Sequence, residues 1–388
     1  MTLASTPLAI DRELLLSPSE LSVSLYVGLE PHQRDLRVAE GKAQTLLGDA
    51  QEELTRRGVP KRTQAPILDR VRDALSDLDL RKHRDPGLAI LATSGRTQVL
   101  PLPEPVGSQA VVGHHFFIRP LLRILRDVSF LVLTINAQGA RLLECSRYHW
   151  FERSAPALKK TLEEVMARTE LDAGFQQSPA TRPHVGSPAA AVKAHAYESP
   201  VDVAKTEFVT HLQRLAAAVE TELKGDRRPV VLVAEAETAG HFRKLTRLPN
   251  LLSDGVTLFP NGQGDAELIA RAREIVGDPD EAATSAVLDQ ANARLGANQR
   301  AVAIRLDDVV TAAHDGRVEA VIVAADEKVW GRFDPRTRIV VAHATPAPDD
   351  DELLNEIVIQ TLSKGGQAFA LPRERLPRQA LAVAVLRY

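Results

Sequence analysis

The side chains able to do chemistry gather in three places. One is a basic turn, Arg56-Arg57-Gly58-Val59-Pro60-Lys61-Arg62, set between two amphipathic stretches. The second is an adjacent histidine pair, His114-His115. The third is a stretch over residues 173–199 that carries Arg182, His184, Lys193 and His195 and has no acid between Asp172 and Glu198. Cations without neighbouring acids suit contact with phosphate, although solvated surface is the plainer reading of any basic run, Arg81-Lys82-His83-Arg84 included. Neighbouring histidines point to different sides of a helix or strand. His114 and His115 are therefore poor co-ligands for a metal, and read as packing and hydrogen-bonding residues. Cys145, the one cysteine, lies in an apolar run and reads as a small buried hydrophobe rather than a nucleophile. It also rules out an internal disulfide framework. Metal-dependent cleavage needs clustered carboxylates, and the middle of the chain offers only Glu144, Glu235 and Glu237 near strands. Neither a metal site nor a cofactor motif is read: there is no Walker A, dinucleotide glycine fingerprint, Gly-x-Ser-x-Gly elbow or His-Glu-x-x-His.

The elements that must position these groups follow from periodicity. Alternation over residues 21–27 predicts a half-buried strand, and helical spacing predicts helices over 35–57 and 65–78 that flank the basic turn. Strands over 88–92 and 97–102 pair around Ser94-Gly95, and a short helix covers 120–125. Two apolar runs, 130–135 and 141–145, joined by a turn with Gly139 read as a β-hairpin. A helix carrying Leu158, Leu162, Val165 and Met166 leads into the aperiodic segment 173–199; loops of that length are uncommon and often functional. Ser199, Pro200 and Asp202 mark the start of the next helix. Strands at 229–234 and 256–259 with a helix over 265–276 give an α/β middle region. Helices over 281–295 and 307–313 and strands over 317–323, 328–333 and 338–343 follow. The acids Asp349-Asp350-Asp351-Glu352 open a further helix from its first turn. Gly365-Gly366 ends that helix, and strands over 367–371 and 381–386 close the set.

The fold class expected is α/β (α+β) in three domains: 1–127, 128–279 with the long loop 173–199, and 280–388. With 388 residues the chain exceeds one ordinary core. A net charge of −3 leaves no overall basic footprint, so nucleic-acid contact must come from local patches. Lack of a secretory segment and of an apolar run near the ~20 residues of a membrane span predicts a soluble, cytoplasmic protein with no membrane partner.

Several blocks, in order, resemble the archaeo-eukaryotic class I release factor and Pelota superfamily in its bacterial, family-3 branch, with a relation to Balon-type ribosome hibernation factors. They are Asp85-Pro86-Gly87-Leu88-Ala89-Ile90-Leu91, then His114-His115-Phe116-Phe117-Ile118-Arg119-Pro120-Leu121-Leu122, then the hairpin region 130–148. The last part adds His314-Asp315-Gly316-Arg317-Val318-Glu319, Val329-Trp330-Gly331-Arg332-Phe333 and Lys364-Gly365-Gly366-Gln367-Ala368. Each block is short; their order and spacing span nearly the whole chain. The resemblance implies three domains in a tRNA-like arrangement that binds the ribosomal A site. The first would face the decoding centre, the middle loop the peptidyl-transferase centre, and the third the factor-binding side, with an elongation-factor-type GTPase as partner. It also implies Arg56, Arg57, Lys61 and Arg62 as contacts to ribosomal RNA near the decoding centre, and Arg182, His184, Lys193 and His195 as contacts of the loop tip.

Two departures limit what carries over. Stop-codon-reading members have Asn-Ile-Lys-Ser between the helices of the first domain, where this chain has residues 56–63. Release-competent members carry Gly-Gly-Gln on the middle loop; this chain has only His184-Val185-Gly186-Ser187 there. Its single Gly-Gly-Gln, Gly365-Gly366-Gln367, follows a helix in the last region and reads as helix-stop chemistry. The function expected is therefore ribosome rescue or hibernation without codon reading, by a protein monomeric off the ribosome, with no complete catalytic motif in the loop. The alternatives are a peptidyl-tRNA-hydrolysing release factor and a stand-alone hydrolase or nuclease using the middle domain.

Overall fold

The computed structural model describes residues 10–29, 36–78, 85–136, 139–158, 200–257, 264–297 and 301–388. Two compact units result. Val128–Asp278 forms the middle unit, while Leu8–Asp127 and Pro279–Tyr388 together form a split unit. The chain is mixed α/β, as its alternating periodicities require. No described helix is long and apolar enough to cross a membrane.

The first half of the split unit begins with α1 (Arg12–Leu16), capped by the Asp11 side chain on the Leu14 N–H at 3.0 Å. Strands β1 (Ser22–Gly28), β2 (Gly87–Thr93), β3 (Thr97–Leu102) and β4 (Gln109–Gly113) form an antiparallel sheet in the order β3-β2-β1-β4. On one face Val23, Leu25 and Val27 meet α2 (Leu36–Arg56) and α3 (Lys61–Asp77) through Ala43, Leu46, Leu47, Ile67, Leu68 and Val71. The predicted half-buried β1 is in fact buried on both sides. Its polar face is covered by the chain just after β4: Ser22 Oγ donates to the Gly113 carbonyl, Ser24 Oγ accepts from the Phe117 N–H and Tyr26 donates to the Phe117 carbonyl. Alternation marked the two faces correctly, but hydroxyls can go inside when backbone groups satisfy them. Helix α3 starts four residues before its predicted first residue, because the Pro60 carbonyl accepts from the Thr63 and Gln64 N–H groups and closes an earlier turn. A short 3₁₀ turn and α4 (Leu122–Leu125) end this half.

In the middle unit, β5 (Phe130–Asn136), β6 (Gly139–Cys145), β7 (Trp150–Arg153), β8 (Val230–Ala234) and β9 (Leu251–Thr257) form a mixed sheet in the order β7-β6-β5-β8-β9. The predicted hairpin is β5–β6, with Asn136 paired to Gly139. Strands β5, β8 and β9 run parallel. Helices α5 (Pro200–Glu222) and α6 (Ala236–Leu245) cover one face through Leu212, Leu215, Val219 and Phe242. Helix α7 (Asp265–Val276) covers the other through Leu268, Ile269 and Ala272. A parallel core buried on both faces explains why β5 and β8 read as unbroken apolar runs. The sequence reading missed β4, β7 and α6. The predicted helix beyond Leu158 and the Ser199 cap lie outside the described residues.

The second half of the split unit contains α8 (Pro279–Gly296), β10 (Val302–Ala303), α9 (Leu306–His314), β11 (Val318–Ala324), β12 (Trp330–Asp334), β13 (Ile339–His343), β14 (Asp351–Glu352), α10 (Leu353–Ser363), β15 (Gln367–Leu371) and β16 (Ala382–Leu386). One sheet runs β10-β16-β11-β15 and a smaller one β13-β12-β14. The acids at 349–352 do not occupy a first helical turn. Asp351 and Glu352 pair with β12 as a short strand, and α10 begins at Leu353 with Glu352 as its N-cap, accepting from the Leu354 and Asn355 N–H groups. Negative charge still faces the helix N-terminus, but from the cap.

Candidate functional site

The basic turn is built by the close of α2 and the opening of α3. Its four cations have different fates. Arg57 is buried, with 5% of its surface exposed. Its Nε donates to Glu53 Oε1 at 2.7 Å, its Nη1 to the Asp350 carbonyl at 2.7 Å, and its guanidinium lies 5.2 Å from the Trp330 ring centre. Burial lowers the proton affinity of this group, with Asp351 and Asp350 pulling the other way. A guanidinium enclosed in this way is not presented to a phosphate in solvent, although its Nη2 has no hydrogen-bond partner. The expectation of RNA contact at Arg57 is corrected accordingly: the residue ties the two halves of the split unit together. Arg56 is exposed and shares Glu53. Lys61 and Arg62, in the exposed first turn of α3, pair with no described residue. The solvent-facing charge of the site is therefore Lys61 and Arg62, with Arg56 partly neutralised.

Arg182, His184, Lys193 and His195, and the basic run 81–84, lie outside the described residues. Gly365-Gly366-Gln367 is placed as a helix stop. Gly365 takes a φ of +74°, its N–H donates to Leu362 and that of Gly366 to Thr361. Gln367 then begins β15, opposite Ala320. A left-handed residue just past α10 is what glycine permits at low cost. Cys145 is buried, and burial pushes its thiol up to about 12. Glu144 is taken by Arg228 at 2.6 Å, and Glu237 lies 3.8 Å from His241. Among the described residues no group of three His, Cys, Asp or Glu side chains is placed to hold a metal ion.

Of the histidine pair, His114 hydrogen-bonds, as its sequence context predicts, while the His115 ring lies beside a carboxylate without a hydrogen bond. What the sequence concealed is the pair's partners. The segment after β4 is fastened to the start of α10 almost residue by residue. The His114 N–H donates to Asp351 Oδ1 at 2.8 Å, and His114 Nδ1 lies 3.1 Å from Asp351 Oδ2. His115 Nδ1 lies 3.2 Å from Glu356 Oε2. Asn355 accepts from the Ile118 N–H at 2.8 Å and donates to the Phe116 carbonyl at 2.9 Å. Arg119 donates to the Ala324 and Glu327 carbonyls at 2.7 and 2.5 Å, with its Nε 3.4 Å from Glu352 Oε2. Burial pushes the Glu352 carboxyl up, opposed by Arg119 and by the N–H groups of Val329, Asn355 and Leu354. The one trace of this seam in the sequence is the count of polar groups in two otherwise apolar stretches, 114–122 and 350–362.

Residues 129–317 match the model of the bacterial archaeo-eukaryotic release factor family 3. No curated protein matches. Similar solved structures include an archaeal translation termination factor, aRF1, at 14% identity over 97% of this chain and 96% of that one, with a TM-score of 0.23. Archaeoglobus fulgidus Pelota is 14% identical over 78% of this chain and 79% of that one, TM-score 0.30. Dom34 of S. cerevisiae, described as a translation termination-like factor, is 10% identical over 76% and 73%, TM-score 0.35. Residues 129–317, just under half of the chain, are thus similar to the bacterial archaeo-eukaryotic release factor family 3.

Proposed function

We propose that this protein is a ribosome-binding translation factor of the release factor and Pelota type that occupies the A site in rescue or hibernation and does not read stop codons. The family match over residues 129–317 is the observation that carries this reading. The basic turn gives it direction. Where codon readers hold Asn-Ile-Lys-Ser, this chain presents Lys61 and Arg62, cations suited to phosphate, and lacks that motif. In this reading residues 1–127, 128–279 and 280–388 act as three domains. The first faces the decoding centre, the loop 173–199 with Arg182, His184, Lys193 and His195 reaches toward the peptidyl-transferase centre, and a translational GTPase is the candidate partner of the third. Gly365-Gly366-Gln367 takes no part in chemistry.

Binding to ribosomes programmed with a stop codon or a sense codon in the A site tests the proposal. Equal affinity for the two, without release of the nascent peptide, is expected. Binding confined to stop codons, or stop-dependent release, would overturn it.

A further inference from the structure

The seam of the split unit contains a cluster that ordinary packing does not need. Glu356 is 8% exposed and faces two imidazoles: His115 Nδ1 and His314 Nε2 each lie 3.2 Å from a carboxylate oxygen. Both ring nitrogens are out of line for a hydrogen bond and have no other hydrogen-bond partner. A neutral imidazole in that position gains little from the carboxylate, because a neutral hydrogen bond depends on direction. A charged imidazolium gains the full attraction of an ion pair in a poorly solvated place, which does not depend on alignment. The geometry therefore rewards protonation rather than mere contact. Phe333 lies against the His314 ring, with centres 4.3 Å apart, and keeps it in place.

The surrounding charges favour the same state. His115 also feels Asp351, opposed by His114. His114 pairs with Asp351 and is reached by Asp349 and, in the opposing sense, by Arg57. At the same oxygen that His314 faces, Gln360 donates to Glu356 Oε1 at 2.9 Å and in turn accepts from Lys364 at 2.7 Å. The contact joins segments more than 200 positions apart, since 237 residues separate His114 from Asp351.

We propose that the contact of His114 and His115 with Asp351 and Glu356 is a proton-operated latch: with its imidazoles charged it holds Leu8–Asp127 on Pro279–Tyr388, and loss of those protons loosens it. The direction follows from linkage. Asp351 raises His114 above the ordinary imidazole value. At His115 burial lowers the value, but Glu356 outweighs it and the net direction is upward. Burial likewise pushes the Glu356 carboxyl up, and the facing imidazoles of His115 and His314 overrule it and hold it below the usual carboxylate range. Groups raised on folding stabilise fully below their unfolded value, about 6.5 for imidazole, and lose that contribution as pH rises through the folded value. A carboxylate depressed on folding stabilises above its unfolded value, about 4.3 for Glu. The latch is therefore strongest between roughly pH 4.3 and 6.5 and weakens above neutral. His115 dominates, since the His114 side chain is 43% exposed and solvent screens its pair.

The chain has two tryptophans, Trp150 in the middle unit and Trp330 in the split unit. Urea unfolding of a Trp150→Phe protein, followed by Trp330 fluorescence, reads the latch at pH 6 and pH 8.5. The midpoint is expected to fall from the lower pH to the higher, and Glu356→Gln to remove most of that fall. A midpoint that is unchanged or rises, or a Glu356→Gln protein that keeps the full pH dependence, would overturn the proposal. Should Glu356→Gln not fold, titration of the imidazole NMR signals of the unaltered protein decides. Signals of His114 and His115 that titrate above the ordinary imidazole value support the latch, and signals that titrate at or below it end it.

Discussion

The two units hold themselves together by different physics. The middle unit is an apolar sheet closed on both faces by helices, and its ion pairs sit toward the surface. Arg141 reaches Asp265 through paired contacts at 3.0 and 2.9 Å, yet both side chains remain about a third exposed, at 39% and 30%. The split unit has apolar cores as well, but the join between its halves is polar and buried. The side chains of Arg119 and Glu352 are 3% and 2% exposed. Two segments distant in sequence have thus acquired specificity from directional and charged contacts rather than from one continuous apolar face. Such a join tolerates little damage, because losing one partner leaves the other buried and uncompensated.

Stability measurements can break this contrast. Arg119→Met leaves Glu352 without its cation and is expected to lower the stability of the split unit by about 3–5 kcal/mol. Its counterpart Arg141→Met should cost the middle unit no more than about 1 kcal/mol, the range of exposed pairs. Urea unfolding read separately at Trp330 and Trp150 distinguishes the two, and similar losses would refute the contrast. In the middle unit the sensitive position is apolar. Leu133→Ala, at a site with no exposure, should cost about 2–5 kcal/mol through lost burial and a cavity. A loss of under 1 kcal/mol there would mean that the sheet core is loosely packed.

A smaller effect sharpens the reading of Gly365-Gly366-Gln367. A Cβ on Gly366 would stand 2.6 Å from Thr361 Cγ2 and 2.9 Å from the Val318 carbonyl oxygen. Gly366→Ala should therefore destabilise the split unit by about 1–3 kcal/mol. Gln367→Ala, on an exposed strand position, should stay within about 0.5 kcal/mol and leave ribosome binding unchanged. Loss of a ribosomal activity at Gln367→Ala without loss of stability would return the tripeptide to a functional role.

The most delicate contrast is in pH. In the middle unit His211 is buried, and burial together with Arg214 lowers its proton affinity. Its neutral form is the folded one, so the middle unit should be most stable above the ordinary imidazole value and weaken as pH falls through it. The latch histidines have the opposite sign. Between pH 8.5 and 6 the midpoint read at Trp150 should fall while that read at Trp330 rises; midpoints that move together would contradict the assignment of both sets.

How much of this was legible in the sequence follows from the same division. Apolar periodicity is local, so the β5–β6 hairpin, α2, α5, α7 and β11 could be read directly. Strands β4 and β7 are short and lack a distinct alternation. Helix α6 mixes charges with alanines, so its pattern is weak. The cross-seam partners of Arg57, His115 and Arg119 lie hundreds of positions away and leave no periodic trace. A basic turn therefore looked uniformly exposed when one of its arginines is interior. The acids at 349–352 looked like a helix's first turn because pairing of Asp351 and Glu352 with β12 is a tertiary fact. Hydroxyls on β1 looked solvent-facing because their backbone partners come from the end of β4 and the segment that follows it.

Ribosome binding through the exposed part of the basic turn is the central claim, and a salt series of co-sedimentation tests it most directly. The unaltered protein should pellet with ribosomes at low salt and lose affinity steeply as salt rises, because phosphate contacts release counterions. Changing Arg56, Lys61 and Arg62 together to Glu should abolish most low-salt binding without changing the urea midpoint. Changing the same residues to Gln should reduce the slope of log affinity against log salt by about 2, as for three lost contacts to single strands. Binding by the Glu variant equal to that of the unaltered protein, or no binding by the unaltered protein at low salt, would contradict the claim.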